Sequence, residues 1–259
     1  MQSTNVLVAI KNLYHIKDRT LSLGKNNSRN RVNSVGESLE EFIKDLFCNS
    51  LSETQDKHKI HAEFFSYLGA KNSPPDIILK NSDAIEVNKI ESLNANIMLY
   101  SSHPNDKLYS DSTLIQEDCR NCEDWDVKDF MYAVGVVNGD KLLSLWFVYG
   151  DCYFATQQFY KNLTNPPADV LNITTFNVAR YCYVKHPSHL VKHVELFNRE
   201  SLINVLMLKE KYLSLPIEDR DSIEMSEDKG YFVKDCLIHS PNNPAIMLDA
   251  KFISYQPIQ

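Results

Sequence analysis

Two short apolar runs joined by a polar turn constrain this chain more than any other feature. Asp76-Ile77-Ile78-Leu79 reads as a strand, Lys80-Asn81-Ser82-Asp83 supplies turn residues, and Ala84-Ile85-Glu86-Val87-Asn88-Lys89-Ile90 reads as a second strand. Side chains alternate along a strand, so Ala84, Glu86, Asn88 and Ile90 share one face while Ile85, Val87 and Lys89 take the other. A hairpin of this kind brings Asp76 and Glu86 together at the edge of a sheet.

Two carboxylates in that position suit Mg²⁺, which prefers oxygen ligands and keeps several waters. Such a metal polarises a phosphodiester and lowers the pKa of a bound water to make a nucleophile. Asn88, two residues after Glu86, would face that water. The layout resembles the PD-(D/E)xK nuclease motif, with asparagine standing where lysine is usual. Short motifs recur by chance, and a strand–turn–strand with Glu86 in solvent is the plainer alternative.

Upstream, Leu39, Phe42, Ile43, Leu46 and Phe47 fall at i, i+3, i+4, i+7 and i+8, which predicts an amphipathic helix over 36–48. Glu37, Glu41, Lys44 and Asp45 map to its polar side. Glu40 maps to the edge of the buried stripe. A carboxylate there can reach a metal site on the adjacent sheet, and Gly36 one turn earlier permits close backbone approach. The alternative for Glu40 is an ordinary boundary glutamate.

A longer ordered series carries a more specific resemblance. It runs from Asn30-Arg31-Val32-Asn33-Ser34-Val35-Gly36 into Leu39-Glu40-Glu41, then through Pro74-Pro75-Asp76, Ala84-Ile85-Glu86-Val87 and Lys89-Ile90-Glu91-Ser92. Ser101-Ser102-His103-Pro104, Lys107-Leu108, Asp111-Ser112 and the run from Lys128 to Val137 follow. Over residues 28–150, and more weakly as far as 174, this resembles the NgoPII-type family of type II restriction endonucleases. The resemblance implies an α/β fold of the PD-(D/E)xK type, a mixed sheet flanked by helices, with further β-rich elements toward the C-terminus. It implies Mg²⁺ dependence, duplex DNA as substrate and GGCC as the palindrome cut. It maps the metal carboxylates onto Asp76 and Glu86.

Asn88 departs from that family pattern. A lysine there would orient the attacking water and stabilise developing negative charge, whereas an asparagine amide can hydrogen-bond the water but brings no charge. Lys89 projects from the opposite face unless a bulge shifts the register. Weak or absent cleavage is therefore expected, and a non-catalytic, sequence-specific DNA-binding protein on a nuclease scaffold is the alternative.

Composition sets the remaining bounds. A chain of 259 residues with 43% hydrophobic content can bury a full core. The expected organisation is a basic N-terminal helix and loop (1–35), a catalytic core (36–150), and a C-terminal region completing the fold and DNA surface (151–259). The net charge of −7 excludes a generally basic DNA binder, but a specific enzyme needs only a local basic surface. Residues 1–35 offer one, with Arg29, Arg31 and Asn33 as candidates for DNA contact. A second basic stretch runs from Arg180 to His193. Lys107, Arg180 and Lys185 are candidates for reading guanine O6 and N7, with Ser101–Ser112 and 176–193 as candidate readout loops.

A palindromic target favours a two-fold homodimer, and a cutter needs a cognate methyltransferase as functional partner. Six scattered cysteines, no signal peptide and no membrane-length apolar stretch point to a cytoplasmic protein. Cys119-Arg120-Asn121-Cys122 is a lone CxxC, so a zinc module lacks a visible second pair of ligands. Elsewhere, 3–14 and 199–213 read as helices, 58–68 as a short helix and 24–35 as a loop. Residues 91–127 read as irregular and 170–184 as β-rich. Strand pairs are expected at 130–137 with 142–149, and at 231–239 with 245–254.

Overall fold

The computed structural model describes residues 3–16, 19–21, 31–51, 56–69, 73–91, 105–158, 201–243 and 245–257, with the side chains of 31–34 outside the description. Nine strands are described: β1 (Phe65–Tyr67), β2 (Ile77–Leu79), β3 (Ala84–Ile90), β4 (Lys107–Tyr109), β5 (Val127–Asn138), β6 (Lys141–Tyr149), β7 (Ile203–Leu208), β8 (Tyr231–His239) and β9 (Met247–Tyr255). They join in one sheet of order β1-β2-β3-β5-β6-β7-β9-β8, with β4 pairing the start of β5. The β3–β5 and β6–β7 pairs are parallel and the rest antiparallel. This is the mixed, helix-flanked sheet expected of the α/β class.

The central hairpin β5–β6 turns through Asn138-Gly139-Asp140, where Gly139 takes a positive φ of 68° that suits glycine. Its strands are apolar on both faces because helices and loops cover both. Helix α2 (Arg31–Cys48) lies across one face. Leu39 packs on Gly135, where an added Cβ would come within 2.6 Å of its methyl group, and Phe47 meets Phe147 edge-on with ring centroids 6.1 Å apart. Helix α1 (Val6–Tyr14) is part of this core rather than an appendage. Val6, Leu7, Ala9, Ile10 and Leu13 are buried. Asn5 caps its N-terminus by accepting from the Leu7 and Val8 amides. Thr4 Oγ1 and Asn12 Nδ2 in turn donate to the Phe47 and Leu46 carbonyls at the end of α2, which satisfies groups that a helix end leaves open.

Several sequence expectations shift. The helix at 36–48 begins earlier, at Arg31, so the expected 24–35 loop ends by then; residues 24–30 lie outside the description. The 58–68 helix is α3 (Lys57–Phe64) followed directly by β1. Residues 199–213 are not one helix but strand β7 and then α5 (Lys209–Ser214), because the run Ile203–Leu208, apolar apart from a buried Asn204, pairs with β6 and β9 inside the sheet. The stretch 105–127 holds β4 and α4 (Glu117–Arg120). A further helix, α6 (Ile217–Glu224), meets α1, to which Asn5 Nδ2 is tied through Asp219 Oδ2 at 2.8 Å. The expected β-rich 170–184 lies outside the described residues.

Two charged residues of α2 expected in solvent are buried, Lys44 and Asp45. The reason for Asp45 is α3. His61 Nε2 lies 3.1 Å from Asp45 Oδ1, Ser50 Oγ donates to the same oxygen at 2.7 Å, and Lys57 pairs with Oδ2. Burial opposes the charge on Asp45, but the hydrogen bonds from His61, Lys57 and Ser50 outweigh it and hold the carboxyl below its usual range. The cluster fixes the corner from α2 into α3. Asp45→Ala is expected to destabilise the fold by about 3 kcal/mol, the cost typical of breaking a buried pair, measured by denaturant unfolding.

Candidate functional site

The site is built where β2 stops and β3 continues. The two strands pair through Ile77↔Ile85 and Ile78↔Ala84, and the Asp76 amide donates to the Ile85 carbonyl at 3.0 Å. One rung further, β2 has ended, and the Val87 amide would point at nothing. Asp76 Oδ2 takes it instead, at 2.7 Å. The carboxylate thus stands in the plane of the sheet, in the place of a ladder carbonyl. The sequence put this pair at the sheet edge; β3 is an interior strand, paired on its other side by β5, and the opening is local to its second half.

Pairing of β3 with β5 is unbroken from Ala84↔Phe130 to Ile90↔Val136. No bulge rotates the strand, so Glu86 and Asn88 share a face and Lys89 takes the other, as alternation requires. Lys89 pairs with Glu91 at 3.2 Å. Glu86 Oε2 and Asn88 Nδ2 are buried and have no hydrogen-bond partner among the described residues. A buried polar atom left open is costly, and a water or an ion is one partner that would satisfy it.

The electrostatics agree. Burial pushes the Asp76 carboxyl up to about 6; the Val87 amide opposes this, the Glu40 charge adds to it, and Lys44 opposes it. Glu86 is driven well above its ordinary value, chiefly by burial, then by the charges of Asp76 and Glu40. Glu40, expected at the edge of the α2 stripe, is there: its side chain is 27% exposed and Lys44 Nζ lies 2.7 Å from Oε1. Asp76, Glu86 and Glu40 therefore act on one another, and Asn88 stands beside Glu86 on the strand.

Residues 4–167 match the family profile described as NgoPII restriction endonuclease. The chain belongs to the NgoPII restriction endonuclease family. The type II restriction enzyme NgoPII of Neisseria gonorrhoeae is 35% identical to it over 254 residues, covering 88% of this chain and 91% of the relative. No solved structure matches it. The enzyme is thus a type II site-specific deoxyribonuclease, a DNA-binding hydrolase of restriction–modification systems.

The donor set of this endonuclease fits a hard divalent cation. Mg²⁺ takes one or two carboxylates and completes its shell with water and substrate oxygens, and the site offers two carboxylates, one with an open oxygen. A zinc module at Cys119 and Cys122 fits less well. Among the described residues no three His, Cys, Asp or Glu side chains group to hold a metal, which applies to Asp76, Glu86 and Glu40 as well and leaves water and substrate to complete any shell there; burial raises the Cys119 thiol to about 12. No helix is long and apolar enough to cross a membrane.

The DNA-contact expectations fare unevenly. Arg29, Arg180 and Lys185 lie outside the described residues, as do the side chains of Arg31 and Asn33 in the first turn of α2. Lys107 is described, with its ammonium 2.5 Å from Asp129 Oδ1 and 2.8 Å from Asp151 Oδ2 and the side chain part-exposed. In the candidate readout loop, Asn105 and Asp106 are buried, and their carbonyls pack on Gly150.

Sequence reasoning missed the clamp on the β2–β3 turn. Asp83 reads as a turn residue, yet it is buried, taking a hydrogen bond from Tyr149 Oη at 2.6 Å and the Lys211 ammonium at 2.6 Å. Lys211 also bridges to Asp129 at 2.6 Å. The Asn81 amide donates to Glu123, and Lys128 donates to the Ser82 carbonyl while pairing with Glu123. Nothing local in the sequence signals these partners, which come from distant segments.

The raised carboxyls make a stability prediction for the metal-free protein. A carboxyl raised on folding favours the fold when protonated. Its contribution is present below the ordinary value near 3.8 and is lost as pH rises through about 6. In chelator, stability is expected to fall by about 3 kcal/mol through Asp76 between about pH 4 and about pH 7, with Glu86 adding in the same direction. Asp76→Asn should flatten that slope in thermal or denaturant unfolding; an unchanged slope refutes the assignment.

Proposed function

We propose that this endonuclease hydrolyses phosphodiesters of duplex DNA at a short GGCC-type palindrome, with Mg²⁺ held by Asp76 and Glu86 and with Glu40 supporting the site. The observation that carries this is the open rung of β3, where the half-buried Asp76 carboxylate takes the Val87 amide beside Glu86, whose buried Oε2 is unpartnered among the described residues. When bound, the cation supplies Lewis-acid polarisation of the phosphodiester and a bound water of lowered pKa.

The chain's own residues do the rest. Asp76 must be ionised to bind a cation, so its raised carboxyl predicts that metal affinity weakens as pH falls below about 6. Asn88 Nδ2 is a neutral donor able to orient the attacking water. It brings no charge, and cleavage slower than with lysine at this position follows. Arg29, Arg31 and Asn33 are proposed to contact phosphates, and Arg180 and Lys185 to read guanines. A palindromic target favours a two-fold dimer in the cytoplasm, with a cognate methyltransferase protecting host sites.

With Mg²⁺, the chain is expected to cut DNA containing GGCC and to leave it whole in chelator. Asn88→Lys should raise the single-turnover rate by about tenfold or more, and Asp76→Ala should abolish it while preserving DNA binding. Asn88 also favours a second reading, a binder without catalysis. That reading takes over if both the chain and Asn88→Lys leave the DNA intact but still bind it.

A further inference from the structure

Strand register carries the Glu86–Asn88 face well beyond β3. Asn88 pairs with Val134 of β5, Val134 with Trp146 of β6, Trp146 with Asn204 of β7, and Asn204 with Ser254 of β9. Directly paired residues point to the same side of a sheet, so these side chains form one row on one face. Ile90, Val136 and Ser144 form the adjoining row. The opposite face carries Lys89 and Gly135, and α2 packs there through Leu39.

Neither row holds a charged side chain. A polyanion brought to Glu86 therefore meets no repulsion along this direction, although the chain as a whole is acidic. Asp83, Asp129 and Glu123 gather at the other end of β3, around the β2–β3 turn.

Trp146 stands out on this surface. From Ser144 to Tyr149 every position of β6 is buried except Trp146, which is half-buried. It packs on Ile90, Val134 and Val136, a small apolar cluster of their own. Its indole N–H donates to Ser144 Oγ at 2.9 Å, and Ser144 Oγ donates to the Ser201 carbonyl at 2.9 Å. These two bonds fix the plane of the ring and occupy its one donor, so what it can offer a ligand is rigid apolar surface. That surface lies two strand spacings, about 10 Å, from Asn88. The sheet twists by only about 45° over two strands, so Trp146 and Asn88 can meet the same ligand.

We propose that Trp146 is a DNA-contact residue: its indole, set on Ile90 and Val134, packs against the deoxyribose of a nucleotide next to the scissile phosphodiester. The contact is with sugar and not with a base edge, so it holds the strand in place without reading sequence. The inference rests on the endonuclease reading above, since it takes Glu86 and Asn88 as the place of cleavage.

Fluorescence tests it on the folded chain. The sequence has two tryptophans, and Trp125 Nε1 has no partner among the described residues, so Trp125→Phe costs no hydrogen bond and leaves Trp146 as the single reporter. Binding of a GGCC-containing duplex in Ca²⁺ is followed by anisotropy of a label on the DNA. The duplex is expected to shift Trp146 emission and to protect it from quenching by acrylamide. Trp146→Ala should weaken binding by about tenfold and leave the salt dependence of affinity unchanged, because an apolar contact releases no counterions. Trp146→Phe, which keeps a ring, should lose less. If the duplex binds while Trp146 emission and acrylamide quenching stay as they were, the proposal falls, whether or not Trp146→Ala folds. It falls also if Trp146→Ala melts like the parent and binds as tightly, or if its weaker binding comes with a shallower salt dependence, the mark of displaced basic groups. Those outcomes leave the endonuclease reading standing where Mg²⁺ still supports cleavage; a parent that neither binds nor cuts the duplex overturns both.

Discussion

The hydrogen bond from the Val87 amide to the Asp76 carboxylate holds the site together. A strand that outruns its neighbour leaves backbone donors facing nothing, and a side-chain oxygen is a standard substitute. Here the substitute is a half-buried carboxylate. Because the bond is to backbone, it sets the carboxylate in the plane of the sheet whatever the rotamers around it do. Glu86 then follows on β3 by register, and Glu40 by the packing of Leu39 against Gly135.

Such an arrangement has to be braced, since buried carboxylates repel each other and lose their hydration. The bracing comes from the turn at the far end of the hairpin. Asp83 is gripped by Tyr149 and Lys211, and Lys211 leads through Asp129 to Lys107 and Asp151. This chain of alternating charges links β6, α5 and the start of β5 to the one loop that could let β2 slide along β3. Helix α5 lies in the C-terminal part of the sequence, so the residues beyond 200 help to place the hairpin as well as completing the sheet.

What could be read from the sequence follows from how local each cause is. The β2–β3 and β5–β6 hairpins, the β8–β9 pair, α1 and the stripe of α2 are local patterns of alternation, turn residues and helical spacing, and the structure has them. That Glu86 and Asn88 share a face and that Glu40 sits at the edge of the α2 stripe follow from strand and helix periodicity, whereas Asp76 is oriented by the Val87 amide, which no local pattern signals. Residues 203–208 misled because a short, largely buried strand and a helix segment look alike when nearly every position is apolar, with Asn204 the exception. Lys44, Asp45 and Asp83 misled for another reason. Their burial depends on partners such as His61, Tyr149 and Lys211, and a helical wheel or a turn rule knows nothing of those. Lys107 illustrates the converse: a polar loop lysine that sequence offers to DNA is paired with two aspartates folded beside it.

The raised carboxyls and the buried Lys44 belong to one electrostatic problem. Three acids acting on one another within a chain of net charge −7 hold an unfavourable field. Lys44 opposes the rise of Asp76 in part, while burial and the Glu40 charge drive it. Under the proposed function a divalent cation would relieve that field while bound, so one carboxyl, Asp76, would set both the pH at which the metal-free fold weakens and the pH at which metal affinity falls.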